Sequence, residues 1–558
     1  MTKTMMAARL AAATLFGLVA ACSGGGGGNS GGGFTPPPSG GGGSGGGGGG
    51  SSNNEPDWTP GTYEPASTFK DRCEVVRTGV DIEGNPYPDV AGSTTIENFW
   101  LRSWTEETYL WNDEVTDRDP RTFTDRVAYF NLLKTTEITP SGEEKDDFHF
   151  SESTEDFLAA RNSAGTAGYG FSLAAIRNSV PRDYRIRYAD PNTPASEIVN
   201  GQQQFLRGTR ILEVDGVDLV SGGSTQAEID TLNAGLFPAT AGETHTFLVQ
   251  DEGASTTRTV TIVSADVSRK PVFDTQVINT ATGDVGYIIF NTFSPFASEQ
   301  EIVDAIQAMS NAGVSDLVLD LRYNGGGLLA VASQLSYMIA GSGKTSGRNF
   351  ERLQFNANAG PNNPVTGEFN APVPFYDTTV GFSTVAGVPL PTLDLDRVFI
   401  LSTGGTCSAS EAVINGLTGI DVDVILIGDI TCGKPYGFYP TDNCGLTYYT
   451  IQFQGVNDKG FGDYADGFVP DDNSFSFGAR LPGCTVADDL AFALGDQNEP
   501  LLAAALHYRT NLSCPAGSGA SSVAQSSFET QNKRDRVIRR PIRLMEENRD
   551  MRLPKGHL

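Results

Sequence analysis

At 558 residues the chain is too long for a single hydrophobic core, so several domains are expected. Its 39 Lys and Arg stand against 67 Asp and Glu, a formal charge of −28, which argues against nucleic acid or an anionic lipid surface as the main partner. Apolar residues make up an ordinary 39%, and the unusual feature, 66 glycines, is concentrated near the N-terminus.

Residues 1–22 carry Lys3 and Arg9 ahead of a short apolar run over 10–20, too short to span a bilayer, and predict an export signal. Leu18-Val19-Ala20-Ala21-Cys22 has the form of a bacterial lipobox, which predicts cleavage before Cys22 and lipidation of its thiol. Ser23, not Asp, follows, so the expected location is the periplasmic face of the outer membrane; a soluble periplasmic or cell-surface protein is the alternative. Residues 23–56 are nearly all Gly and Ser, interrupted by Pro36 to Pro38, and predict a tether with a reach on the order of 30 Å. The remaining cysteines (Cys73, Cys407, Cys432, Cys444, Cys484, Cys514) are even in number and compatible with disulfides of undeducible pairing. No CxxC or Cys/His cluster has zinc spacing, and His149, His245, His507 and His557 are scattered, so neither a metal nor a cofactor is expected.

Residues 57–160 predict a small helical domain. Trp100, Trp104, Tyr109 and Trp111 fall at near-helical spacing within 98–112, followed by Phe123, Val127, Phe130 and Leu133 and then Phe157 and Leu158. The aromatic stripe reads as core. A second domain, 161–266, opens at Gly168-Tyr169-Gly170-Phe171 and continues with strand-like runs at 171–176 and 184–188, a helix over 194–201, and further strands in 208–219 and 245–263. Such a glycine turn lets successive backbone N–H groups converge on a C-terminal carboxylate, while a peptide adds as a strand to the sheet edge. A plain hairpin turn is the simpler alternative.

From 267 to 514 the pattern becomes α/β. A strand at 286–290 precedes a helix that Ser298 and Glu301 would open as a capping box. A buried strand at 314–321 then ends in Arg322-Tyr323-Asn324-Gly325-Gly326-Gly327. Gly343-Lys344-Thr345 imitates the end of a phosphate-binding loop, but Met338 occupies the required earlier glycine position, which excludes a nucleotide site there. Residues 340–390 predict a long loop, and 515–558 a solvated, locally basic tail.

The chemistry concentrates in 403–438. Ser408 stands at the start of a predicted helix, and Lys434 follows the apolar run 422–429. A serine hydroxyl needs a base, and a lysine serves when an apolar pocket disfavours its charged form. Ile430, Pro435, Tyr436 and Phe438 offer such a pocket. By themselves these residues read more simply as a helix cap, since Ser408-x-x-Glu411 is a capping box, and a hairpin lysine.

Thr406-Cys407-Ser408-Ala409-Ser410-Glu411 and Gly433-Lys434 resemble the nucleophile and base segments of the carboxyl-terminal processing (tail-specific) serine peptidases of the S41 type. Gly168 to Phe171, with 208–219 behind it, resembles a PDZ domain. The resemblance implies a multidomain α/β protein: a ClpP/crotonase-like catalytic core, a PDZ-like β-rich domain and a small N-terminal helical domain. It implies Ser408 as nucleophile (Ser410 second), Lys434 as base, and an oxyanion hole from Gly325 or Gly326 with Ala409. Gly168, Tyr169, Gly170 and Phe171 would hold the carboxylate of a polypeptide with a free C-terminus. Membrane contact would come through the lipid anchor alone. Two departures leave the third member of the site open. Phe438 stands where many relatives carry a glutamine, and Thr418, Gly419 and Asp421 do not clearly match an aspartate found on the nucleophile helix. Oxidised Cys407 and Cys432 would brace or gate the site. The alternatives are a non-catalytic binder of peptide termini and a Ser-His hydrolase using His149 or His507.

Overall fold

The computed structural model describes residues 55–162 and 165–518. The predicted signal, Cys22, nearly all of the tether and all but the first residues of the tail lie outside them. Among the described residues no helix is long and apolar enough to cross a membrane.

The N-terminal region is organised by α1 (Thr94–Thr108), which starts where the Ser93 hydroxyl accepts the Ile96 N–H at 3.2 Å. Trp100 and Trp104, one turn apart, stack at 5.1 Å, and both rings pack on Tyr448 from far along the chain. The stripe is therefore core, but Tyr109 and Trp111 lie beyond the end of the helix. This region is not only helical. Strand β1 (Phe150–Ser153) pairs antiparallel with Leu446–Tyr449, and a Cys73–Cys444 disulfide joins the same two parts of the chain.

An antiparallel sheet follows, made of β2 (Phe171–Arg177), β3 (Asp183–Ala189), β4 (Arg210–Val214), β5 (Thr244–Gln250) and β6 (Arg258–Val263), in the order β6-β5-β4-β3-β2. Tyr184, Ile186 and Tyr188 of β3 alternate inward, as a sheet with one covered face requires. Helix α2 (Gln226–Leu236), opened by a Thr225–Glu228 capping box, sends Leu232 and Leu236 into one core with Ile211, Phe247 and Val260. The helix expected over 194–201 is a single 3-10 turn, Pro194–Ser196, followed by the short strand Ile198–Val199. Adjacent β-branched side chains favour extended backbone there.

The third part is a mostly parallel sheet: β7 (Val272–Ile278), β8 (Val285–Phe290), β9 (Asp316–Asp320), β10 (Arg397–Ser402), β11 (Asp423–Gly428) and β12 (Gly483–Thr485), ordered as numbered, with only β7 antiparallel to its neighbour. Every residue of β8 and β9 is buried, because helices cover both faces. Helices α3 (Ser298–Ala312), α4 (Leu329–Ala340) and α5 (Ala409–Gly419) pack on one face through Ile302, Leu335 and Val413. Helix α6 (Pro500–Asn511) covers the other with Leu501 and Leu502. Ser298 does not cap α3 as expected. It is the first helical residue, and its hydroxyl donates to the Phe293 carbonyl at 2.8 Å.

Candidate active site

Strands β9, β10 and β11 are parallel neighbours, so their carboxyl ends lie together, the position where open α/β sheets bind ligands. From β9 comes the 321–327 loop, from β10 the 403–407 turn, and from β11 the 429–434 segment. Polar ties lock the three together. The Thr406 hydroxyl donates to the Leu321 carbonyl at 2.8 Å, while the Cys407 N–H and the Ser410 hydroxyl share the Asn324 carbonyl at 3.0 and 2.9 Å. Cys432 N–H donates to the Thr406 carbonyl at 3.1 Å, and a Cys407–Cys432 disulfide closes the same gap.

Ser408 precedes α5 with φ 58° and ψ −112°, a conformation that costs a non-glycine residue about 1–3 kcal/mol. It is fully buried, and its Oγ has no hydrogen-bond partner among the described residues. An ordinary capping serine is extended and accepts a helix N–H; Ser408 does neither. Only the other half of the capping box forms, with the Ser408 N–H donating to Glu411 Oε2 at 2.9 Å. Ser410, the second candidate, is committed to Asn324.

Of the backbone donors proposed for an oxyanion, the N–H groups of Ala409 and Gly325 have no acceptor among the described residues, whereas Gly326 N–H donates to Asn324 Oδ1 at 3.0 Å. Gly326 matters differently. At φ 113° it brings the loop so close that an added Cβ would lie 2.8 Å from the Ser408 Cβ.

Lys434 is 2% exposed, and its Nζ lies 4.4 Å from the ring centre of Phe148 and 4.6 Å from that of Phe438. Its backbone N–H donates to Glu411 Oε2 at 2.8 Å. The other Glu411 oxygen accepts the Thr431 hydroxyl at 2.6 Å and the Gly433 N–H at 2.8 Å. Burial pushes the Glu411 carboxyl above the usual range, against these hydrogen bonds, which favour its ionised form. One carboxylate thus fixes the backbone of both Ser408 and Lys434. The sequence showed Glu411 only as a capping partner; its reach to the lysine segment depends on the β10–β11 pairing. Phe148 was missed altogether.

The other candidates lie elsewhere. Asp421 is exposed and pairs with Lys459 at 2.5 Å. His149 packs its ring on Phe130 and contacts the Phe130 carbonyl and the Thr450 hydroxyl, and His507 contacts Asn511. The fold does not bring either histidine into a hydrogen bond with Ser408. Cys407, Glu411 and Cys432 are close enough to share a cation, but both sulfurs are consumed by the disulfide, leaving no thiolate to ligate one.

Behind the glycine loop, Arg322 is 1% exposed and bonds Asp320, Asp488 and Glu499. Arg207, from the antiparallel-sheet region, reaches Asp488 Oδ1 and the Tyr323 hydroxyl, both at 2.6 Å. Burial alone would raise the Asp488 carboxyl; the attraction of Arg207 and Arg322 wins and holds it at about 2.

Gly168 ends a short strand paired with Ala265–Val267, and Tyr169 is buried with its hydroxyl donating to the Gly235 carbonyl at 2.8 Å, at the end of α2. At Gly170 (φ 82°) an added Cβ would sit 2.3 Å from the Thr193 side chain. Phe171 opens β2, the edge strand of its sheet, and packs against Phe205 and Phe247.

Residues 284–440 match the model of peptidase family S41. A carboxyl-terminal-processing protease of a Picosynechococcus species is 35% identical over 115 residues, which is 19% of this chain and 27% of that protein. The chain thus matches about a quarter of that relative's length. Among solved structures, an S41 protease of Bacteroides fragilis is similar with a TM-score of 0.55 at 22% identity, over 76% of this chain and 98% of that one, a likeness of fold. The photosystem II D1 C-terminal processing protease aligns over 70% of this chain and 94% of its own at 17% identity, with a TM-score of 0.40.

Proposed function

We propose, from the match of residues 284–440 to peptidase family S41, that the chain is a serine endopeptidase that processes or degrades exported polypeptides with a Ser408–Lys434 dyad. The observation that carries the reading is Ser408 itself. A buried serine in a strained positive-φ conformation, its Oγ unbonded, begins a helix at the carboxyl end of a parallel sheet, and one carboxylate ties its backbone to that of Lys434.

In the proposed reaction the Lys434 amine takes the Ser408 proton as Oγ attacks the substrate carbonyl. The carbonyl oxygen becomes an oxyanion facing the N–H groups of Ala409 and Gly325, each worth roughly 3 kcal/mol of transition-state stabilisation. Collapse breaks the C–N bond, the lysine proton leaves with the amine, and water then hydrolyses the acyl-enzyme. Ser408 Oγ is not yet hydrogen-bonded, so substrate binding must draw dyad and donors together, as is common for unliganded sites.

We assign 267–514 to a ClpP/crotonase-like core, 161–266 to a PDZ-like module and 57–160 to an N-terminal helical domain. The position of β2 at the end of its sheet among the described residues, beside the Gly168–Phe171 turn, supports peptide binding by strand addition, with the terminal carboxylate at that turn. Export, lipidation at Cys22 and an outer-membrane position complete the proposal, the lipid being the one membrane contact.

The test is cleavage of fluorescein-labelled casein by purified protein. Wild-type turnover abolished in both Ser408→Ala and Lys434→Ala supports the dyad; undiminished proteolysis in both variants eliminates it. The unbonded Oγ also favours a second reading, a non-catalytic binder of peptide termini. That reading requires wild-type protein to bind C-terminal peptides without cutting any substrate.

A further inference from the structure

We propose that Phe148 and Phe438 are positioning residues for Lys434, holding its amine between two ring faces and stabilising the ammonium it becomes on taking the Ser408 proton. The inference rests on the reading of Lys434 as base.

Both rings lie within the cation–π range of about 6 Å, at 4.4 and 4.6 Å from Nζ. Phe438 is anchored through its ring and Phe148, half-buried, through its backbone. Phe438 is fully buried and meets Tyr449 edge-on at 5.2 Å, and Tyr449 stacks on Phe150 at 4.2 Å. Phe150 faces Tyr449 in the ladder between β1 and Leu446–Tyr449. Phe148, two residues earlier, donates its N–H to Asp146 Oδ1 at 3.0 Å, and the other oxygen of Asp146 accepts the Tyr109 hydroxyl at 2.7 Å. One ring thus comes from the N-terminal region and the other from the lysine's own segment, and pairing between those regions sets the distance between them.

A ring face attracts a cation and does little for a neutral amine. The contact therefore strengthens as the proton moves from Ser408 to Lys434, which is the kind of differential interaction that accelerates a reaction. Burial has removed the water that would otherwise solvate the new ammonium, and the two faces supply part of the replacement. The sign follows. Removing a ring face favours the neutral amine, so the acid limb of kcat/KM moves to lower pH while the plateau rate falls. A ring that only fills space would change stability and leave that limb in place.

The experiment uses the full chain, labelled casein and kcat/KM profiles against pH for wild type, Phe148→Leu, Phe438→Leu, Phe148→Trp and Lys434→Ala, each checked by thermal melting. The Leu variants are expected to lose roughly tenfold in plateau rate and to shift the acid limb down by about half to one pH unit. Phe148→Trp, with a stronger π face, is expected to keep the rate and hold the limb or move it up, a readout that survives even if a Leu variant does not fold. Folded Leu variants with an unmoved limb, or a Trp variant shifted like the Leu ones, overturn the inference. Turnover retained in Lys434→Ala overturns instead the assignment of the base.

Discussion

Glu411 and Arg322 are both essentially without solvent exposure, and their charges are satisfied in different ways. Glu411 is surrounded by dipoles: three backbone N–H groups and one hydroxyl, all from the segments that carry Ser408 and Lys434. Arg322 is surrounded by formal counter-charges, from Asp320 on its own strand end and from Asp488 and Glu499 far along the chain. The dipole cage has geometric precision, because each donor is fixed in a backbone whose position matters for the proposed chemistry. The ionic cage ties distant segments together under the loop. On the proposed function, changes at Glu411 are expected to act mainly on rate and changes at Arg322 mainly on stability.

The largest expected effect breaks the ionic side. Arg322→Met leaves Asp320 and Glu499 buried without their partner, and loss of one member of a buried ion pair costs about 3–5 kcal/mol. Urea unfolding should show that loss, and a change under about 1 kcal/mol would mean that the cluster is not an integral support. Next comes the dipole side. Glu411→Gln keeps one oxygen and puts an NH2 group against either the Ser408 and Lys434 N–H groups or the Gly433 N–H and Thr431 hydroxyl, so in either pose the 431–434 segment should shift relative to Ser408. A displacement of that kind costs on the order of 100-fold in kcat. Equal losses of stability in the two variants, with kcat intact in Glu411→Gln, would erase the contrast.

Acid separates the two cages by sign. The Asp488 carboxyl is held at about 2, below its ordinary 3.8, so its contribution is fully present above the ordinary value and lost as pH falls toward 2. Since the side chain keeps 15% exposure, that contribution is at most about 2 kcal/mol. The Glu411 carboxyl is raised, so its protonation favours the folded state as pH falls through its folded value. Asp488→Asn should flatten the acid side of a stability profile, and Glu411→Gln should steepen it. Profiles that move together would show that one cage, not two, governs acid stability.

The smallest effect concerns the covalent brace. Reducing Cys407–Cys432 leaves the Glu411 hydrogen bonds in place, so a few-fold loss of casein cleavage is expected. The Cys407→Ala/Cys432→Ala double variant separates this bond from the other two disulfides: it should start at the reduced rate and respond little to reductant. Full wild-type activity in the double variant would show that hydrogen bonds alone hold the site.

The two cages also differ in how readable they were. Ser408 and Glu411 stand three apart, so their contact was legible as a capping box, although the strained backbone at Ser408 was not. The glycine loop was legible as a loop. Which of its N–H groups is already taken was not, because it is Asn324, within the loop, that accepts the Gly326 N–H. Ser298 carried the same capping signal as Ser408 and turned out to be inside its helix, bonded to Phe293. Short motifs thus located turns well and assigned their hydrogen bonds poorly, since a hydroxyl bonds whatever carbonyl the tertiary fold brings near.

By itself the sequence determined what depends on a few neighbouring residues: the aromatic helix as core, strands of the antiparallel sheet and about half of those in the parallel sheet, the serine, lysine and glycine segments, and the family they resemble; the strands Val272–Ile278, Arg397–Ser402 and Gly483–Thr485 were not read. Tertiary structure decided everything that depends on strands meeting. Parallel pairing of β9, β10 and β11 gathered three distant loops at one edge. Pairing of β1 with Leu446–Tyr449 delivered Phe148 to the lysine and joined the N-terminal region to the core. The same folding chose one pairing of the six described cysteines. The reason is physical: periodicity and capping act over one or two turns of chain, whereas the neighbour of a buried side chain is set by sheet register across hundreds of residues.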